Sequence, residues 1–249
     1  MSQQEPARVL VVMDQVLVAD TIVLTLNHGT FDTRVAPTAR AALTVLQEWE
    51  PILAVVDMDI GDGNLLEGLG VGRRGERTVI PVIGLTRRGD LQTKLSAFEQ
   101  GLDDILTVPF SPEELLARTV ALYRRAYNQP VPVTPTIQIG EIEIDILNRE
   151  VRAGSSVIHL TGLEQSLLYL LAANAGQVLS RDEILDALWG SDFVSESNVV
   201  DRHIRALRAK LQNDWRQPRF IATVPGRGYR FIPQFSADSE REGSISTAR

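Results

Sequence analysis

The sequence predicts two domains of different class: a doubly wound α/β domain, then an α+β domain built on a winged helix-turn-helix. Three observations carry this. Short β-branched runs alternate with helical patterns in the first half. A proline-rich, uncharged stretch follows. Near the end, a helix with one dry face and one arginine face precedes a glycine-bounded turn.

The runs RVLVVM, PILAVVD and VIPVIGL are apolar on both sides, as strands buried in a parallel sheet must be. Helices are expected between and after them, among them Ala39–Trp49 and Pro112–Tyr127. In such a fold ligand chemistry gathers at the carboxyl ends of the strands. Asp14, Asp57 and Thr86 each follow a strand at that end, so their convergence marks a candidate site. Any one alone would read as a turn or capping residue.

Residues 126–137, AYNQPVPVTPTI, hold Pro130, Pro132 and Pro135 and no charge. Prolines at such spacing resist helix and favour an extended spacer. The expected division is therefore 1–125, a linker at 126–137, a second domain at 138–235 and a disordered polar tail at 236–249.

The second domain opens with IQIGEIEIDILNREVRAGSSVIHLT, which alternates apolar and polar residues around a Gly154-Ser155 turn. A small antiparallel sheet is expected, then three helices and a hairpin. In the last helix Val200, Ile204, Leu207 and Leu211 share one side. Asn198, Arg202, Arg205 and Ala209 lie opposite, flanked by Arg208. Guanidinium groups there can reach phosphates or a guanine edge. Gly226-Arg227-Gly228 then presents one arginine at a hairpin tip. The pattern leaves open a DNA-reading face or a merely solvated one. His203 sits beside the dry face and reads as packing, not as a metal ligand.

Composition narrows the function classes. The chain has 249 residues, no cysteine and a net charge of −7. Thiol nucleophiles, thiolate metal sites and disulfides are excluded. MSQQEPAR lacks the form of a signal peptide, and no apolar run approaches the roughly 20 residues of a membrane helix. The expectation is cytoplasmic, with no membrane partner. The acidic total opposes DNA weakly, because affinity depends on the local patch.

The runs LTGLEQSLLYLLAANAGQVLSRDEILDALWG, VDRHIRALRAKL and TVPGRGYRF resemble the DNA-binding domain of the OmpR/PhoB family of bacterial response regulators, over about residues 138–232. The resemblance implies a recognition helix at 197–211, a wing at 226–228, double-stranded DNA with repeated half-sites as partner, and a loop at 190–197 that touches RNA polymerase. Pro225 stands where many members carry arginine.

Residues 8–125 similarly resemble the flavodoxin-like receiver of these regulators. The resemblance implies a carboxylate pair that holds Mg²⁺, a phosphoacceptor aspartate, a hydroxyl residue and a lysine. This sequence keeps Asp14, Asp57 and Thr86. Met13 replaces the first acid, Val108 the lysine and Ile105 the switch aromatic. Arg87 replaces the usual small residue, Gly61 a proline and Leu65 a glycine. A Mg²⁺ site at Asp14 and Asp57 would be weak, and Asp57 reads as a vestigial acceptor. In these losses the chain also resembles cyanobacterial regulators of the nonbleaching type.

The family's two-fold interface implies Lys94 paired with Glu114 and Asp104 with Arg118 across a homodimer, while Arg125 faces a position holding Gln100. The sequence thus reads as a non-enzymatic transcription regulator, an activator, whose receiver dimerises or binds a protein partner largely independently of Asp57 phosphorylation. Its rivals are a conventional switch phosphorylated by a histidine kinase and an adaptor without DNA binding.

Overall fold

A computed structural model describes residues 6–27, 31–60, 65–69, 80–87, 89–128, 136–139, 141–145, 150–154, 156–190, 193 and 198–232. The first domain runs β1 (Ala7–Val12), α1 (Val16–Leu26), β2 (Phe31–Ala36), α2 (Ala39–Trp49), β3 (Leu53–Asp57), α3 (Leu65–Gly68), β4 (Val82–Thr86), α4 (Leu91–Glu99), β5 (Asp104–Thr107) and α5 (Pro112–Tyr127). Its strands pair in parallel in the order β2-β1-β3-β4-β5. Both β3 and β4 are buried at every position, which explains their unbroken apolar runs. The strand order reverses at β1 and β3, and this places a crevice at their carboxyl ends.

Local chemistry sets the helix limits. Thr38 caps α2 by accepting from Ala41 N, and Ser111 caps α5 by accepting from Glu114 N. Pro112 opens α5 where its missing N–H costs nothing, and Arg124 and Arg125 oppose the negative end of the dipole. Both helices predicted by residue match their bounds. The α5 helix therefore takes Ala126 and Tyr127 from the segment read as linker, and a strand already begins at Thr136. The three linker prolines and the 236–249 tail lie outside the described residues.

The second domain comprises β6 (Thr136–Ile139), β7 (Ile142–Asp145), β8 (Glu150–Ala153), β9 (Ser156–Ile158), α6 (Gly162–Ala173), β10 (Val178–Leu179), α7 (Arg181–Trp189), α8 (Val199–Lys210), β11 (Ile221–Val224) and β12 (Gly228–Phe231). The first four strands form the expected antiparallel sheet. Full capping boxes, Thr161 with Glu164 and Ser180 with Glu183, start α6 and α7. Val200, Ile204, Leu207 and Leu211 are buried on one side of α8, as their spacing requires.

The wing is the β11–β12 hairpin, with β10 on the far edge of β12. Arg227 N donates to Val224 O, which closes a turn with Pro225 and Gly226 at its centre. Gly226 has φ +69°, the conformation a type II turn needs at that place. Gly228 is held more strictly. Its φ is +142°, and a Cβ there would lie 2.0 Å from the Leu179 carbonyl oxygen. Backbone cannot yield as a flexible side chain can.

Gly228→Ala should therefore cost about 3 kcal/mol of stability and separate the wing from β10. Gly154→Ala, at φ +62° with nothing within 4 Å of the added carbon, should cost only about 1 kcal/mol. Urea unfolding of the two variants checks the contrast.

Candidate nucleic-acid interface and acceptor pocket

One exposed basic surface joins α8 to the wing. Arg202 and Arg205 project from α8 opposite its buried stripe, and Arg227 is exposed at the hairpin tip. Among the described residues, the side chains of Arg202 and Arg205 make no hydrogen bond or ion pair. Asn198 is exposed at the N-cap of α8 and its side chain makes no cap bond.

Arg208 is a correction. It was expected to flank the basic face, but it is half-buried and spoken for. Its Nε and Nη2 donate to Ile221 O at 3.2 and 3.0 Å, and Nη2 donates to Thr223 Oγ1 at 2.8 Å. Its guanidinium also lies 5.4 Å from the Tyr229 ring centre. Burial lowers its pKa. The physical reason is position: one step around the helix from Arg205, the side chain meets β11 before it meets solvent. Arg208 thus sets the angle between helix and wing.

Tyr229 is the hub that sequence reasoning missed. Its hydroxyl donates to Asp201 Oδ1 at 2.6 Å, and Arg181 Nε donates to the same oxygen at 2.7 Å. The Arg181 guanidinium stacks 5.1 Å from the ring on which Arg208 also rests. Burial pulls the Asp201 carboxyl up, but the hydrogen bonds from Tyr229 and Arg181 outweigh it and hold the pKa below the usual value. A second tie, Lys210 Nζ to Glu164 Oε2 at 2.6 Å, fastens α8 to α6. Buried Asn213 turns the chain from α8 into β11 by accepting from the N–H groups of Arg219, Phe220 and Ile221. His203 packs 5.6 Å from the Trp189 ring, as expected of a packing residue.

The second candidate site is the crevice at the ends of β1, β3 and β4. Asp57 is 3% exposed and Thr86 is buried beside it on the neighbouring strand. Asp59 N donates to Asp57 Oδ1 at 2.9 Å. Burial raises the Asp57 pKa, opposed by this bond and by Arg87. Arg87 Nη1 reaches Asp57 Oδ2 at 3.4 Å and Asp59 Oδ2 at 3.6 Å. A guanidinium therefore stands against the acceptor carboxylate.

These residues do not fit a Mg²⁺ ion. The Met13 thioether is buried in the apolar core and offers no hard oxygen. Asp14 is exposed, and no cluster of three or more metal-ligating side chains occurs among the described residues. Arg87 already supplies positive charge to both carboxylates. Val108 is 8% exposed and belongs to the core, so no cation takes the lysine's place there.

On the α5 face, Asp104 and Arg118, one of the two pairs expected across a dimer, meet within one chain, and Glu114 joins them in place of its expected partner Lys94. Arg118 donates to Asp104 at 3.0 Å and to Glu114 at 2.7 Å. Its pKa is raised, first by the Glu114 hydrogen bond. Glu114 lies one helical turn before Arg118, so it reaches the guanidinium without a second copy. Lys94 is half-buried on α4 and makes no ion pair among the described residues.

The chain matches the family models "Response regulator receiver domain" over residues 9–120 and "Transcriptional regulatory protein, C terminal" over residues 154–231. It is 34% identical to the DNA-binding response regulator MtrA of Mycolicibacterium smegmatis, covering 91% of this chain and 97% of that one. It is 36% identical to the probable transcriptional regulator ycf27 of Cyanophora paradoxa, covering 90% and 95%. Among solved structures, the DNA-binding domain of Klebsiella pneumoniae RstA, in complex with the RstA box, is 37% identical over 39% of this chain and 97% of that one, with a TM-score of 0.36. Thermotoga maritima DrrB, described as an OmpR/PhoB homolog, is 28% identical over 91% and 99%, with a TM-score of 0.41. With both family models matched and with MtrA and ycf27 more than 30% identical over nine-tenths of the chain, the chain belongs to the OmpR/PhoB family of response regulators.

Proposed function

We propose that this regulator binds DNA sequence-specifically through Asn198, Arg202, Arg205 and Arg227, and that its output does not depend on phosphorylation of Asp57. The observation that carries the first part is the unpaired arginine pair on α8 beside an exposed wing arginine. The second part rests on Arg87 standing against Asp57 where the family resemblance implies a metal. The protein acts as a cytoplasmic, non-enzymatic activator. It touches RNA polymerase through the loop at 190–197, most of which lies outside the described residues. The retained Asp57 is what a conventional kinase-driven switch would need, and the tests below separate the two readings.

Dimerisation follows the α4, β5 and α5 face. Arg118 holds Asp104 and Glu114 in place as a charged platform, and a second copy presents Lys94 to it. The platform lines an open cleft of about 1150 Å³ whose other wall is Leu160, Gly162 and Gln165. Exposed ion pairs contribute little singly, so affinity comes from the ensemble and from DNA holding two copies together.

Arg202→Ala and Arg205→Ala should each cost about 1–3 kcal/mol of operator affinity, whereas Arg227→Ala should weaken binding with less change in sequence preference. Anisotropy titrations on operator and scrambled DNA measure both effects. Full operator affinity in the double mutant would sink the assignment.

Asp57→Ala should fold and support target transcription near the wild-type level. Transcript measurement in cells, alongside acetyl phosphate and Mg²⁺ treatment of the purified protein, decides it. Lost output together with stoichiometric phosphorylation of the wild type restores the kinase-driven reading.

Arg118→Glu should weaken self-association on DNA several-fold, by an energy of about 1 kcal/mol. Sedimentation velocity reads it, and an unchanged dimer fraction removes the face from the interface.

A further inference from the structure

The two domains share a single hydrophobic cluster. It runs from Val9, Val11 and Met13 through Val18 and Ile22 of α1 and Phe110, and on into Leu167, Leu170 and Leu188 of the second domain. Helix α1 packs directly on α6. Where they meet, Ser166 Oγ lies 2.6 Å from the Phe110 carbonyl oxygen, so a buried hydroxyl donates across the joint. A residual cavity of only about 20 Å³ is lined by Val18, Thr21, Val108 and Phe110 from one domain and by Ser166, Ala187 and Leu188 among those from the other.

Two contacts across the joint come from the positions that depart from the family's phosphoryl site. Val108, at the lysine position, faces Ala187 and Leu188 across that cavity. Arg87, at the small-residue position, lays its aliphatic stem on Gly190, the C-cap of α7; a Cβ on Gly190 would sit 2.7 Å from Arg87 Cδ. Met13, at the lost acid, is buried in the same cluster. Each change makes the acceptor end more apolar, or turns its charge inward against Asp57 and Asp59.

Helix α6 carries the matching signature. Every residue from Glu164 to Ala172 is buried. A helix that serves one small domain needs only an apolar stripe, and burial all round means neighbours on both sides. Here α7, α8 and β12 take one side, while α1 and α5 of the receiver take the other.

We propose that the acceptor end of the receiver is the docking face for this chain's own DNA-binding domain, and that Met13, Arg87 and Val108 are the residues that convert it from a phosphoryl site into an interdomain joint. The partner is intramolecular and apolar: α6 and the end of α7. Docking leaves Arg202, Arg205 and Arg227 exposed, so the joint fixes the direction of the DNA face without covering it. This goes beyond the proposed regulatory role, since it involves neither DNA nor phosphate, and its test can fail while that role stands.

The absence of cysteine lets two spin labels be placed without background. Labels go at Arg40→Cys on α2 and Asp182→Cys on α7, both exposed. Pulsed electron resonance on the otherwise wild-type full chain should give one narrow distance. Val108→Lys restores the family lysine but drives an ammonium into the joint, and Ser166→Glu drives a carboxylate in from the other side. Each should broaden the distribution, and each should raise deuterium uptake in α1 and α6 at least several-fold while far-UV circular dichroism stays native. A broad distance distribution in the labelled wild type overturns the proposal by itself, whatever the variants do. So does an unchanged narrow distance in both folded variants.

Discussion

The structure depends on the burial of α6 from both sides. Toward the DNA-binding domain it supports α7, α8 and β12, and Lys210 is anchored on its Glu164. Toward the receiver it meets α1 and α5. An apolar helix surface must be removed from water, at roughly 25 cal/mol per Å² of area. A helix buried on all sides leaves the surrounding elements little choice of arrangement. The recognition helix, the wing and the receiver are thus all positioned with reference to α6.

The proposed DNA face is a product of division of labour among arginines. The side chains of Arg202 and Arg205 and the exposed Arg227 point to solvent, whereas Arg181 and Arg208 both rest against the Tyr229 ring. The tyrosine hydroxyl closes the frame on Asp201. The three exposed guanidiniums gain from this rigidity, because a preordered face loses less entropy on binding. Removal of a bracing arginine and removal of a reading arginine would both lower affinity, but by different routes. The first loosens geometry, and the second deletes a contact.

The crevice around Asp57 combines electrostatics and packing. Asp57 keeps its place at the end of β3 because the parallel sheet fixes that place, whatever chemistry is done there. Around it, Arg87 supplies the cation, Val108 supplies apolar volume and Met13 fills the core. A carboxylate so enclosed still interacts with the Asp59 N–H and Arg87. It serves the structure as an acceptor of hydrogen bonds, and this gives a physical reason for its retention apart from phosphoryl transfer.

The sequence alone determined the two domain classes, the bounds of α2 and α5, the dry and basic faces of α8, and the positions of Asp57 and Thr86 at strand ends. All of these are local: they follow from periodicity, capping residues and turn chemistry within about twenty residues. The tertiary structure alone decided the rest, because it depends on groups far apart in the chain. Arg208 looked like its neighbours on the helix, and only the arrival of β11, thirteen residues on, buried it. Arg118 also reaches Asp104 within its own chain, fourteen residues back, a contact that only the packing of α5 on β5 creates. The run LLYLLA in α6 is buried, and the run itself does not say by what. That answer required α1, more than a hundred residues earlier, to be folded against it.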